Sequence, residues 1–274
     1  MLFAPFAAWI ALLIVIPHID MLILSLREKV APRVYETGFR NYADFAATWV
    51  YPWTLLRTVA FSIIATVLTF LIGFPVAYYI AKIAQGRTKA ALFMLCLLPF
   101  WVSEIVRVFG WMLLLRETGL ISNALQGMGI ISVEFLYNDA AILIGLVYTS
   151  MLFMIVPLIS TIDGMDDALV EAGYDLGGNG WTVMTRIVIP YAMPGIIAGS
   201  IVVFMLALGN YLTPTLLGGK SGQWFTAQIY SQFITRFNWE LGSAFGFILL
   251  ATSSALVWLL LRLSGQSLSN TLGR

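Results

Sequence analysis

The chain has 274 residues, 60% of them hydrophobic and only 11% charged, with a mean hydropathy of +0.89. Soluble domains are about half apolar and a quarter charged, so composition excludes an ordinary soluble enzyme and a disordered chain alike, and the formal net charge of +1 argues against nucleic acid as a partner. One cysteine, Cys96, and one histidine, His18, leave no internal disulfide, no His/Cys zinc set and no Ser-His-Asp or Cys-His unit elsewhere.

A helix that crosses a bilayer takes about 20 mainly apolar residues. Six stretches of the sequence meet that length, about 3–26, 55–81, 90–115, 140–160, 191–217 and 243–263. Their continuous apolar runs predict helices; barrel strands would alternate. The whole chain, 1–274, then reads as one all-α integral membrane domain of six spans. Five spans would remain if the first were a cleaved signal, but no Lys or Arg precedes Arg27 to form a basic n-region. Asp20 and His18 lie near the end of that first span. Asp20 either draws a cation toward the bundle or reaches the interface and pairs with a neighbouring span. Basic residues in the loops divide six against seven between the two sides, which leaves orientation open.

Ionisable groups inside a bilayer are costly and serve pairing or function. Glu104 and Arg107 stand three residues apart on one face of the third span. They form either a mutual ion pair or a pathway in which Glu104 offers charge to a cationic amine, with Trp101 as a cation–π surface. In the fifth span, Asn210 and Tyr211 either line a gate or make an interhelix hydrogen bond. The G-x-x-x-G pairs Gly195/Gly199 and Gly242/Gly246 favour close packing inside the bundle over a dedicated dimer seam. Gly219-Lys220-Ser221 is no phosphate-binding loop, because Pro214 occupies the first glycine position and a span precedes it.

The connection 163–190 between the fourth and fifth spans is unlike the others, with five carboxylates and one Arg. Asp166 and Asp167 suit a helix start, and acids in a first turn explain the Asp163/Asp166/Asp167 cluster without a metal. Leu169, Ala172, Tyr174 and Leu176 give an incomplete apolar face. Gly177, Gly178 and Gly180 break the helix. Trp181, Met184, Ile187 and Val188 then follow at helical spacing, with Pro190 and Pro194 at the entry to the fifth span. A short helix without a core of its own lies on a membrane surface or in a partner's groove. Its acidity favours the groove, since surface-seeking helices are basic.

The residues Glu171-Ala172-x4-Gly177-x9-Ile187-x-Ile189-Pro190 resemble the E-A-A-x3-G-x9-I-x-L-P motif of permease subunits of bacterial ATP-binding cassette importers. The spacing is kept throughout, with Gly173 for the second Ala, Ile189 for Leu, and Gly178 after Gly177 where Ala is usual. Further segments resemble the spermidine/putrescine permease branch: Asn41-Tyr42, Leu56-Arg57-Thr58, Gly73-Phe74-Pro75-x-Ala77-Tyr78, Pro99-Phe100-Trp101-x4-Arg107, Pro194 to Gly199 and Tyr211-x2-Pro214 to Gly219. The resemblance implies a six-helix importer permease in the bacterial inner membrane with both termini cytoplasmic. It implies a coupling helix that docks on an ATPase through Glu171, Ala172, Gly173, Asp175, Leu176 and Gly177. It also implies as partners two ATPase subunits, a second similar permease and a periplasmic substrate-binding protein, with membrane lipid around the chain. The solute is then a small cation such as a polyamine or another small organic solute, along a pathway involving Trp101, Glu104, Asn210, Tyr211 and Asp20. No catalysis by this chain is expected: it binds no cofactor, and ATP and magnesium belong to the partner ATPase. A stand-alone secondary transporter is the alternative, although the sequence carries no convincing internal repeat.

Overall fold

A computed structural model describes residues 4–31, 34–127, 135–219 and 223–264. The polar tail 266–274, Lys220 and Ser221 lie outside the described residues. The structure is helical apart from one small hairpin. Helices α1 (Ala4–Ile10) and α2 (Ile16–Ser25) are joined by a π-helical turn, Ala11–Val15. A hairpin of β1 (Arg27–Ala31) and β2 (Val34–Thr37) follows, then α3 (Arg40–Ala47) and the long α4 (Val50–Tyr78), which ends in a π segment, Tyr79–Ile83. Next come α5 (Gly86–Leu97), a 3-10 turn (Leu98–Trp101), α6 (Glu104–Leu115), α7 (Leu120–Gly127) and α8 (Asp139–Asp163). After α9 (Asp167–Asp175), α10 (Gly180–Val183) passes through a π segment, Met184–Val188, into α11 (Ile189–Gly209). The chain continues through α12 (Leu212–Leu217), α13 (Phe225–Tyr230), a π segment (Ser231–Thr235) and α14 (Trp239–Leu263).

Among the described residues five helices are long and apolar enough to cross a membrane, and a sixth if the pair α5–α6 counts as one span. That pair is not the continuous third span that its hydropathy suggests. It bends by 94° between Trp101 and Glu104, where Pro99 enters a 3-10 turn and Val102 and Ser103 are extended. The fifth span departs in the opposite sense. Pro190 and Pro194 do not interrupt it, and one helical course runs from Gly180 to Gly209. Pro190 sits in the first turn of α11, where its missing N–H costs nothing, and the π segment before it absorbs the ring. The hairpin β1–β2 had no signal in the sequence beyond a few exposed β-branched residues.

Helix α4 shows why this chain belongs in lipid. Its Thr54, Thr58, Ser62, Ala65 and Thr69 are fully buried on one face, while Leu56, Ile63, Val67, Leu71 and Ile72 are exposed on others. Polar-in and apolar-out is the reverse of a soluble helix, and it is stable only where the solvent is hydrocarbon. The buried hydroxyls donate back into their own helix, Thr58 Oγ1 to Thr54 O at 2.8 Å and Thr69 Oγ1 to Ala65 O at 2.7 Å, so none is left unmatched.

The chain divides into two compact units, one of residues 1–58 and 223–255, the other of 59–222 and 256–274. In the first, Phe225 and Phe245 stack at 5.5 Å and Phe45 meets both edge-on, with Leu241 completing the cluster. Asn41, from the sequence pair Asn41-Tyr42, donates to Ser25 O at 2.9 Å and Arg27 O at 2.8 Å, closing the open end of α2. In the second unit α8 is central, with 50% of its most apolar window buried. Its Met154, Ile155, Leu158, Ile159 and Ile162 pack with Phe74, Ala77, Ile80 and Ala81 of the second span and with Val183, Val188, Ala192 and Val203 of the fifth. Gly195 and Gly199 face α8: a Cβ on Gly195 would lie 2.4 Å from Thr161 Oγ1 and 2.7 Å from Pro157 O. This small-residue pair therefore serves packing within the bundle.

Candidate functional site

Two places in the second unit hold the residues singled out by sequence. The first is α9. Asp166 accepts a hydrogen bond from Ala168 N at 3.0 Å and so caps the helix, with Asp167 in its first turn. The other end closes as a Schellman motif. Gly177 N donates to Tyr174 O at 2.9 Å, and Gly178 N to Gly173 O at 3.0 Å. Gly177 takes φ +81°, which an L side chain resists. Asn179 then starts α10 by accepting from Thr182 N at 2.8 Å. The helix leans inward only through Val170 and Gly173, which meet Val183 and Ile187. Glu171, Ala172, Asp175, Leu176 and Gly177 are all exposed, Leu176 at 89%. With Leu169, Tyr174 and Trp181, also exposed, they form an acidic and apolar surface that nothing among the described residues covers.

The turn before α9 is held from three sides. Lys82 Nζ donates to Asp167 Oδ1 at 2.7 Å and to Met165 O, Lys89 Nζ donates to Asp163 Oδ1, and Tyr191 Oη donates to Gly164 O at 2.9 Å. The clustered carboxylates are thus engaged by two lysines and a helix cap. Sequence reading passed over Lys82, Lys89 and Tyr191: the lysines counted only toward loop charge, and no local pattern announces a contact across 85 residues.

The second place is a cavity of about 510 Å³ where two interrupted helices face each other. One is the bend between α5 and α6, which leaves Glu104 in the first turn of α6. The other is the break between α11 and α12 at Asn210 and Tyr211. Asn210 bridges them. Its Nδ2 donates to Glu104 Oε1 at 2.8 Å, and its Oδ1 accepts from Thr213 N at 2.9 Å. Short α12 is held there because Gly145 of α8 makes room: a Cβ on Gly145 would sit 2.5 Å from both Leu217 Cδ1 and Thr213 Cγ2. Glu104, Arg107, Asn210, Tyr211 and Phe100 line the cavity. The ion pair Glu104–Arg107 does not form among the described residues; Glu104 takes Asn210 instead, and Arg107 Nε is buried with no hydrogen-bond partner. Trp101 is 78% exposed and does not line the cavity, because the 3-10 turn points Phe100 inward, edge-on to Phe153 at 5.9 Å. Asp20 is exposed on α2, in the other unit.

A family described as binding-protein-dependent transport system inner membrane component matches residues 2–270. The spermidine/putrescine transport system permease protein PotB of Haemophilus influenzae is 34% identical over 241 residues, covering 86% of this chain and 84% of that protein. PotB of Escherichia coli K12 is 30% identical over 240 residues, 86% of each chain. Among solved structures, a bacterial alginate ABC transporter in complex with an alginate pentasaccharide-bound periplasmic protein superposes with a TM-score of 0.78 at 17% identity, over 96% of this chain and 92% of the other. The MetNI methionine ABC transporter in an inward-facing conformation gives 0.53 at 16% identity, over 79% and 94%. At these identities the structural likenesses speak to fold alone.

Proposed function

The chain belongs to the binding-protein-dependent transport system inner membrane components, the permeases of ATP-binding cassette importers, and on that premise we propose that it forms half of the pathway by which a small cationic solute, a polyamine, enters the cell. The observation that carries the reading is α9, an acidic helix with an apolar surface left open outside the spans. The relatives named for spermidine and putrescine supply the solute class. The chain is a multi-pass inner-membrane protein and not an enzyme. In the proposed assembly it pairs with a second permease of similar build, two ATPase subunits dock beneath the pair, and a periplasmic binding protein delivers the solute from outside.

The mechanism we infer is alternating access. Glu171, Ala172, Asp175, Leu176 and Gly177 form the end of α9 that seats in a cleft of the ATPase, with Gly173 packed inward on Ile187 behind them and both termini on that cytoplasmic side. Glu171 makes a polar contact and Leu176 fills an apolar one. ATP and its magnesium are consumed on the ATPase, and closure of that subunit pair carries α9 with it. The spans then tilt and expose the cavity outward; release of ADP and phosphate reverses the motion. In the cavity the carboxylate of Glu104, steadied by Asn210, attracts the amine, and Phe100 and Tyr211 give it aromatic walls. A stand-alone ion-coupled carrier is set aside by the family to which the chain belongs.

The test is purification from native membrane together with uptake in reconstituted vesicles. An ATPase and a second six-span protein are expected to accompany the chain. Glu171→Lys and Gly177→Asp are expected to lower uptake at least about tenfold, the loss of one well-placed polar contact or turn, while capture by the binding protein is unchanged. Normal uptake in both variants removes α9 from the docking role.

A further inference from the structure

The short turn that joins α8 to α9 is braced by side chains from several other elements, and nothing in the docking of α9 requires it to be. Within five residues, 163–167, the chain is gripped by side chains from three other elements. Lys82, at the end of the second span, reaches both Asp167 Oδ1 at 2.7 Å and the Met165 carbonyl. Lys89, in the first turns of α5, holds Asp163 Oδ1. Tyr191, at the start of α11, donates to Gly164 O at 2.9 Å. Met165 itself plugs into the core, 3% exposed, beside residues of α4 and α8. The Lys82 side chain is only 10% exposed and its bond to Met165 O is shielded from water, whereas Asp167 is 75% exposed and that pair is open to solvent. The Lys89 pair is more open, 34% and 47% exposed on its two sides.

The rest of α9 is held lightly. Among the described residues it meets the core only through Val170 and Gly173, and its outer surface is exposed. A nine-residue helix pushed at that outer surface would rock about its N-terminal end if the turn were soft. Because the turn is pinned to the second, third and fifth spans together, a push cannot be absorbed there and has to move those helix ends as a set. We infer that the turn 163–167 is the joint through which displacement of α9 reaches the membrane helices, with Lys82, Lys89 and Tyr191 as positioning residues that keep it stiff. The inference rests on the reading of α9 as the contact with the ATPase.

The experiment reads solute imported per ATP hydrolysed by the complete assembly in proteoliposomes, alongside the amount of ATPase that co-purifies. Lys82→Met combined with Lys89→Met is expected to leave ATPase content and hydrolysis within about twofold of the parent and to lower import per ATP about tenfold, the size of effect seen when coupling residues are altered. Lys82→Arg, which can keep both bonds, is expected to restore most of the ratio, and Tyr191→Phe to lower it less than the lysine pair does. Asp163→Ala with Asp167→Ala removes both lysine–carboxylate bonds, leaving only the Lys82 bond to Met165 O, at two solvent-facing positions, and is expected to repeat the uncoupling even if the lysine variant fails to fold. An unchanged ratio in the Asp pair, or a loss of uptake matched by loss of bound ATPase, overturns the joint. If the parent chain brings no ATPase with it, the docking reading fails first, and that failure is visible before any variant is made.

Discussion

Asn210 does two jobs with one amide. Its oxygen caps α12 through Thr213 N and its nitrogen holds Glu104, so the two helix breaks are tied at a single residue. Removing the amide leaves a half-buried carboxylate oxygen and a helix N–H without their partner. Asn210→Ala is therefore expected to destabilise the chain by about 1.5–3 kcal/mol, read as a lower thermal midpoint in detergent. Glu104→Gln is a different kind of change. A neutral amide can still accept from Asn210, so stability is expected to hold within about 1 kcal/mol, while uptake of a cationic solute falls because the cavity loses its negative group. Uptake that survives Glu104→Gln at the parent level takes this carboxylate out of the pathway. The spacing of Glu104 and Arg107 made an ion pair a fair expectation, since nothing local to the third span reveals that a residue 106 positions away takes the carboxylate.

At the level of the element, α9 was legible because its signals are local. An acidic cap, a nine-residue body and a glycine closure sit within one short stretch of sequence, and each follows from hydrogen-bonding needs at a helix end. The glycines are not equivalent, however, and the structure ranks them. A Cβ on Gly178 would stand 2.6 Å from the Gly173 carbonyl oxygen, a backbone atom that cannot withdraw. On Gly173 it would meet Ile187 Cδ1 at 2.5 Å, the far end of a side chain that can turn. On Gly177 it meets nothing, but φ is +81°. Gly178→Ala is thus expected to cost most, about 2–3 kcal/mol by overpacking; Gly177→Ala about 1–2 kcal/mol from the left-handed backbone; and Gly173→Ala least, offset in part by alanine's better helix propensity, about 1 kcal/mol. Hydrogen exchange of the α9 amides checks the order: a Gly173→Ala more harmful than Gly178→Ala contradicts this packing. The departure from the family motif at Gly173 thereby has a physical reason, since it lets α9 sit close on Ile187. The bend in the third span was not legible for the opposite cause. Its residues are apolar throughout, and Pro99 alone does not say whether a helix will kink slightly or turn through 94°; past the bend α6 packs Val108 and Leu115 against Ala141 of α8 and Leu217 of α12, contacts that lie outside the span's own sequence.

For the whole molecule, composition and six apolar runs were enough to place the chain in a bilayer, because the energy of burying backbone in hydrocarbon leaves so few options. What escaped sequence reading is the identity of most partners across distant segments, such as the lysines under α9 and the carboxylate that takes the interhelix bond of Asn210. The single cysteine offers a direct check of orientation. With Cys96→Ser as background and Leu176→Cys as probe, a membrane-impermeant thiol reagent is expected to label inverted vesicles and not right-side-out cells, and labelling is expected to drop when the ATPase is bound. Labelling from the outer face would reverse the topology and with it the docking role of α9.

One consequence follows from Arg107, whose Nε is buried without a hydrogen-bond partner beside the cavity that Glu104 also lines. Arginine keeps its charge at any attainable pH, and hydrocarbon around an uncompensated ion carries a penalty of several kcal/mol or more. Asn210 donates to Glu104 without cancelling its charge, so a carboxylate and a guanidinium line the same 510 Å³ space and offset each other there without a direct ion pair. An ion arriving in that space would then meet two fixed charges of opposite sign, one that draws it in and one that keeps it from settling, at a site whose net charge is near zero.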